Sequence, residues 1–323
     1  MLNDFTGADQ VYVACGYTDL RKGIDGLATL VQQSFRLDPF TNTLFLFCGR
    51  SRDRIKGLYW EGDGFVLVYK RLEQMGLDKE PYELIEVAAD KHVATIAVDV
   101  IRKGDADVIL RGGALAHDFL APLMDRNNGL RKEGRLMSHV SLATLPEYPK
   151  LIALADMAVV VNPDVSKKRS IIRNTVEALD ALGVEYPKLA LMSLVEKGTF
   201  RMEDTVEAQS LMYEQKRRPF VNAELWGPIS YDLIMSKDAA RMKKYECPWT
   251  GGGFDGIIAP ELTTANTLLK SWLIHAKSTV CGAVIGAQVP IAFTSRFATA
   301  EETYLSLAFC AILHDYYRRK GEL

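Results

Sequence analysis

A chain of 323 residues, 48% hydrophobic and 25% charged, is long enough for about two domains and too apolar for default disorder. Its formal net charge of -2 gives no global pull toward nucleic acid or an anionic membrane. The five cysteines, Cys15, Cys48, Cys247, Cys281 and Cys310, lie far apart without CxxC spacing, which argues against a disulfide framework or a zinc site and fits a reducing cytoplasm.

The N-terminus, MLNDFTGADQ, lacks the apolar core of a signal peptide. The first seventy-odd residues predict strands at VYVACG, TLFLFCG, IKGLYW and FVLVYKRL, with one helix over GIDGLATLVQQSF. EGDG, between the last two strands, is a tight-turn signal. The expected unit is a three-stranded meander carrying one helix, with a core that is marginal by itself.

From about residue 83 the rhythm changes. YELIEVA and DVIL are candidate strands around a helical run at 90–103. Then follow helix 116–126, strands 136–143 and 157–161, helix 165–182, strand 188–194, helix 204–217, strand 221–226, helix 236–244, strand 256–259 and helix 263–276. Strands 280–285 and 290–294 and helix 300–318 close the chain. Such alternation predicts an α/β fold with a largely parallel sheet or sheets. Asp164 is placed to cap the helix after it, and Asp204 with Glu207 and Thr299 with Glu302 have capping-box spacing. The longest uncharged apolar run, STVCGAVIGAQVPIAFTS at 278–295, holds Gln288 and Pro290 and reads as two buried strands, with no membrane partner implied.

The stretch VPIAFTSRFATAEETYLSLAFCAIL at 289–313 carries the most chemistry. An apolar strand ends in Thr294-Ser295-Arg296, and a short loop opens a helix at Thr299. Ligands bind open α/β sheets at such strand ends. A helix N-terminus and an arginine fork both suit phosphate oxygens. Ser295 and Arg296 therefore form a candidate oxyanion or phosphate site, with a plain surface arginine as the alternative. Glu302 is either a general base or only the partner of Thr299 in a cap. Cys281 and Cys310 read as small buried apolar residues.

From about Gly76 onward the chain resembles the phosphate acetyltransferase and phosphate butyryltransferase family. The matching stretches run in order: GDADVILRGG, GLRKEGRLMSHVSLATLPEY, DMAVVVNPDVSKKRSIIRNTVEALDALGVEYPKLALMS, ELWGPISYDLIMS, FDGIIAPELTTANTLLKSW and GAVIGAQVPIAFTSR. The resemblance implies a reaction in which acyl-CoA and phosphate give acyl phosphate and CoA, and the reverse. It implies an isocitrate/isopropylmalate dehydrogenase-like fold of two α/β domains around a cleft, and a homodimer. The domains expected are 76–143 with 290–323, a truncated first domain, and 144–289, the second. By resemblance, Arg296 holds the phosphate and Ser295 steadies the oxyanion. Glu302, or Glu301 one position earlier, takes the proton of the CoA thiol. Arg111, Ser138, Asp232 and Asn266 fall on substrate-binding stretches. CoA is a substrate; no bound cofactor and no metal are implied.

A thiol titrates near about 8.5 and a glutamate near about 4.3, so a glutamate base is mismatched unless burial raises it. The chain also departs from the family. Ala114, Leu115 and Ala116 stand where hydroxyls are expected, and the opening strand-helix-strand-helix stretch is not recognisable. Reduced turnover is the expectation.

Residues 11–74 instead resemble the small TnpB-type accessory protein of a bacterial insertion-sequence family. Thr18-Asp19-Leu20-Arg21-Lys22-Gly23, Asp38-Pro39-Phe40, Leu58-Tyr59-Trp60 and Tyr69-Lys70-Arg71-Leu72 carry this likeness. The boundary between the two vocabularies is expected at Gln74–Met75, with 1–75 as a separate small β-rich α+β domain. That resemblance implies an accessory role in transposition, and nucleic acid as a possible partner of 1–75. Residues 1–74 hold nine Lys or Arg and nine Asp or Glu, so net charge does not support DNA binding. Arg50, Arg52, Arg54 and Lys56 near Tyr59, Trp60 and Tyr69 are either a backbone-binding patch or a solvated turn.

Overall fold

The computed structural model describes residues 8–14, 18–34, 36–49, 54–71, 93–112, 114–295 and 298–322. The chain divides into two compact units, Met1–Glu86 and Val87–Leu323. The expected boundary at Gln74–Met75 and the expected strand YELIEVA lie outside the described residues.

The first unit contains β1 (Gln10–Val13), α1 (Ile24–Ser34), β2 (Thr43–Cys48), β3 (Arg54–Trp60) and β4 (Phe65–Arg71). β2, β3 and β4 form the expected antiparallel meander. β1 adds a parallel fourth strand beside β2, with α1 as the crossover. Strand alternation puts Phe45 and Phe47 of β2 on the face that meets Leu27 and Val31 of α1. Leu58 of β3 completes this small core. Gly62 takes φ +95° in the turn between β3 and β4, a conformation that glycine adopts without a Cβ penalty.

The second unit begins with α2 (Val93–Arg102), β5 (Ile109–Leu110), α3 (Ala116–Met124), β6 (Ser138–Thr144) and β7 (Ile152–Ala155). It continues with α4 (Val165–Ala181), β8 (Lys188–Met192), α5 (Glu203–Arg217), β9 (Glu224–Ile229), α6 (Tyr231–Met235) and α7 (Lys237–Lys243). β10 (Gly256–Ile258), α8 (Leu262–His275), β11 (Thr279–Ile285), β12 (Ile291–Ala292) and α9 (Ala300–Arg319) complete it. Eight strands form one sheet in the order β5-β12-β11-β6-β7-β10-β8-β9. The run β7-β10-β8-β9 is parallel, as strands linked by helices should be. The sheet is mixed rather than largely parallel, because β11 runs antiparallel to both β6 and β12, and β6 antiparallel to β7. Two of these pairs, β6 with β7 and β11 with β12, are consecutive strands joined by short loops with no crossover helix, which permits antiparallel pairing.

Two further expectations are corrected. The strand predicted at 157–161 is a bend, and the strand lies earlier, at β7. The Asp156 carboxylate accepts the N–H groups of Ala158, Val159 and Val160 at 2.8, 3.0 and 3.3 Å. This side-chain turn wins over strand propensity in an apolar run. Asp204 and Glu207 do not form a capping box: α5 starts after Met202 with no side-chain cap. Asp204 instead accepts from Ser193 Oγ, and Glu207 pairs with the buried Lys168 of α4. The other two caps form as expected, Asp164 accepting from Lys167 N at 2.8 Å and Thr299 with Glu302 closing a reciprocal box on α9. Among the described residues no helix is long and apolar enough to cross a membrane.

Candidate active site

The chain leaves β12 through Phe293, Thr294 and Ser295 and re-enters regular structure at Thr299, the cap of α9. Arg296 lies outside the described residues. Two side chains from elsewhere in the sheet hold the strand end. Arg111, just past β5, donates from Nη1 to the Thr294 carbonyl at 3.0 Å. Its Nε and Nη2 reach the Ala114 carbonyl at 3.0 and 2.8 Å. The guanidinium lies over the Phe293 ring, 4.6 Å from its centroid.

The second holder is His139 of β6, whose Nε2 is 3.0 Å from the Phe293 carbonyl. A carbonyl only accepts, so Nε2 carries the hydrogen and Nδ1 is left as an acceptor for Ser141 Oγ at 3.3 Å. Burial pushes the His139 imidazole down to about 4, so it is neutral at physiological pH. A Cβ on Gly282 of β11 would stand 2.5 Å from His139 Cε1, so only glycine leaves room for the ring.

Ser295 and Glu302 line one small cavity of about 30 Å³, together with His139, Ser141 and Cys281. Its remaining wall is mostly apolar and includes Met157, Leu269, Leu273, Val280 and Phe293. Glu302 is 8% exposed, whereas Glu301 beside it faces solvent. Glu302 Oε2 accepts from Thr299 N at 2.8 Å, and Glu302 N donates to Thr299 Oγ1 at 3.1 Å. Burial first, and the neighbouring Glu302 second, push the Cys281 thiol up to about 11. Cys281 is therefore a protonated spectator and no nucleophile.

The remaining candidates are dispersed. Ser138 is fully buried and accepts from Asn174 Nδ2 at 2.7 Å. As the strand neighbour of His139 it points to the opposite face of the sheet. Asn266 of α8 donates to the Met157 carbonyl at 3.1 Å, tying that helix to the bend after β7. Asp232 lies on a separate cleft of about 1450 Å³. Strands β8, β9 and β10 end on this cleft, the usual ligand side of an α/β sheet. Its lining carries Asp164, Glu203, Asp204, Glu207, Asp232 and Glu261 against Lys168 and Lys243. Lys168 is paired with Glu207, and Lys243 with Asp232 at 2.8 Å. That lysine holds the Asp232 carboxyl below its usual range.

Residues 68–311 match the family model described as phosphate acetyl/butaryl transferase. The chain belongs to this family. It is 30% identical to a phosphate acetyltransferase of Rhizobium meliloti over 244 residues, 76% of each chain. It is 30% identical to a probable phosphate butyryltransferase of Bacillus subtilis over 235 residues, 73% of this chain and 78% of that one. A branched-chain phosphotransacylase structure from Enterococcus faecalis aligns with TM-score 0.66 at 24% identity, covering 94% of this chain and 98% of that one. That likeness shows the phosphate acetyl/butyryl transferase fold. At the front, residues 9–93 match the family model of IS66 Orf2 like protein. The two matches overlap at 68–93, across the expected boundary.

Within this acyltransferase family fold, the sequence motifs bring Ser295 and Glu302 to one cavity but leave His139, Ser141 and Gly282 unmarked as its supports. A signal exists: His139 and Ser141 are two apart on one strand, hence on one face. Their partners in β11 and after β12 lie some 140 residues away, beyond any local pattern.

Proposed function

We propose that the chain transfers an acyl group between CoA and phosphate at the end of β12. The observation that carries this reading is the shared cavity of Ser295 and Glu302, in a chain of the phosphate acetyl/butyryl transferase family. In the direction of acyl-CoA synthesis, the CoA thiol loses its proton to Glu302 and its sulfur attacks the acyl phosphate carbonyl. Thr299 occupies Oε2 of that glutamate, so the proton goes to Oε1. The C–S bond forms, the carbonyl oxygen takes negative charge, and Ser295 Oγ–H donates to it. The C–O bond to phosphate then breaks, and phosphate leaves on Arg296. His139 and Arg111 place Ser295 by holding two successive carbonyls. The larger cleft is a groove for the body of CoA, with Asp232 on its wall. Its two lysines are already paired, so the phosphates of CoA draw their cations from elsewhere.

The fold of this body as two parts, 76–143 with 290–323 and 144–289, is supported by the parallel strands β7, β10, β8 and β9 all falling in the second. A cytoplasmic homodimer is the assembly proposed on the family likeness. Turnover is lower than in relatives, because a different family stands ahead of residue 68. Release of free thiol from acetyl-CoA and butyryl-CoA in the presence of phosphate tests the activity. Arg296→Ala should lower kcat/KM by at least about 100-fold, the scale of losing one charge-stabilising group. Unchanged kcat/KM in that variant would remove Arg296 from the site.

A second reading rests on the IS66 Orf2 match at 9–93: association of the front unit with nucleic acid. Salt-dependent retention of the full chain on DNA supports it, and no retention at low salt overturns it.

A further inference from the structure

The cleft at the ends of β8, β9 and β10 is a poor host for phosphate. Its lining carries more carboxylates than lysines, and both lysines are already paired. The neutral pantetheine arm of CoA suits such a wall, but the phosphates of its nucleotide are repelled by it. The nucleotide needs a stretch of rim with positive charge and a flat apolar surface for the base.

The loop from β8 to α5 has both. It begins with Ser193 and Leu194 and ends with Met202 and Glu203, and all four line the cleft. Near its end Thr199 and Met202 close a tight turn, with Met202 N donating to the Thr199 carbonyl at 2.9 Å. The fully buried Thr205 of α5 braces that turn. Its Oγ1 accepts from Thr199 N at 2.9 Å and donates to the Met202 carbonyl at 2.6 Å. Phe200 and Arg201 fill the two central positions of the turn. Phe200 is 97% exposed, an aromatic ring held out into solvent. Lys197 and Arg201 are exposed as well, and neither forms an ion pair among the described residues.

We propose that this loop holds the nucleotide of CoA, with Phe200 stacked on the adenine and Lys197 and Arg201 on the phosphates. This rests on the reading of the cleft as the groove for CoA. A base stacks on an aromatic side chain through its π-face, and an arginine fork matches phosphate oxygens. The spacing agrees. Val140, Ala155, Ile258 and Leu191 pair in one row across β6, β7, β10 and β8. Val140 lies between His139 and Ser141 of the reacting cavity, and Leu191 lies just ahead of the loop. Three strand spacings separate them, about 14 Å, a distance that an extended pantetheine arm can bridge.

The test is isothermal titration of CoA into the full chain, beside kcat/KM for phosphorolysis of acetyl-CoA and of S-acetylpantetheine, which lacks the nucleotide. Wild type should favour acetyl-CoA by at least about 10-fold. Phe200→Ala should raise the Kd of CoA by at least about 5-fold and shrink that advantage to match, whereas Phe200→Tyr should keep both. Lys197→Ala combined with Arg201→Ala should weaken CoA by about 2–25-fold at low salt, a loss that fades at high salt. All three side chains are exposed, so circular dichroism should show every variant folded. An unchanged Kd for CoA in Phe200→Ala overturns the inference and leaves the acyltransferase reading in place. So does wild type that uses S-acetylpantetheine as well as acetyl-CoA. Wild type that neither binds CoA nor turns over either thioester removes the acyltransferase reading, and the inference falls with it.

Discussion

His139 acts through its neutral imidazole, and that neutrality has a pH signature. Its folded value of about 4 lies below the ordinary 6.5. Across that interval the unfolded chain binds a proton that the folded chain refuses, so His139 makes stability rise with pH. Asp156 does the opposite. Burial raises its carboxyl from 3.8 to about 6, so the folded chain holds a proton that the unfolded chain has lost, and stability falls as pH rises. Between about pH 4 and 6 the two slopes nearly cancel. His139→Gln removes one of them and keeps a donor for the Phe293 carbonyl. Urea unfolding of this variant should show stability falling from pH 4 to 6, relative to wild type, by up to about 1.4 kcal/mol per pH unit. Parallel profiles for the two proteins would contradict the buried neutral state. Little of this is legible from spacing: Ser141, two residues on, shares the face of His139, but the Phe293 carbonyl that fixes the imidazole lies 154 residues away. Arg111 teaches the same lesson. Its position after a strand suggests a ligand contact, yet its fork is occupied by backbone carbonyls of two loops.

At the scale of elements, α9 decides how its first turn is used. Thr299-x-x-Glu302 is legible as a cap and forms one. Asp204-x-x-Glu207 has the same spacing and fails, because Ser193 and Lys168 from other elements bind those carboxylates more profitably. Local pattern cannot weigh such tertiary competitors. The apolar AVVV run misleads similarly, since the deciding group is the carboxylate just ahead of it. Cap and base roles of Glu302 are separable. Glu302→Gln keeps an acceptor for Thr299 N–H, so thermal unfolding should register less than about 1 kcal/mol. Acyl transfer should fall by about 10²–10⁴-fold with the base removed. Thr299→Ala should show the converse emphasis, costing about 0.5–2 kcal/mol of stability. Turnover of Glu302→Gln within tenfold of wild type would leave Glu302 as a cap alone.

At the scale of the molecule, ordered motifs made the acyltransferase family, the likeness of the front residues to IS66 Orf2 like protein and the α/β body legible in the sequence. Strand direction was not, because pairing depends on where each connection returns. β11 and β12 read as two adjacent strands, but their antiparallel pairing, at Ala283 with Ala292, is a property of the loop between them. The division into two units carries its own thermodynamic consequence. The front unit has one small core built on Leu27, Val31, Phe45, Phe47 and Leu58. The body has three clusters that run through its whole sheet. Cores of such unequal size should melt separately, the front unit first, since small domains bury a smaller fraction of their surface. Scanning calorimetry of the full chain should therefore show two transitions. Phe47→Ala deletes a fully buried ring at a cost of about 3–5 kcal/mol, enough to abolish or strongly lower the first transition of a marginal domain. The second transition and the phosphorolysis of acetyl-CoA should persist, because Phe47 belongs to neither the body nor its cavity. A single transition that shifts as a whole in Phe47→Ala would mean that the two units fold as one cooperative whole.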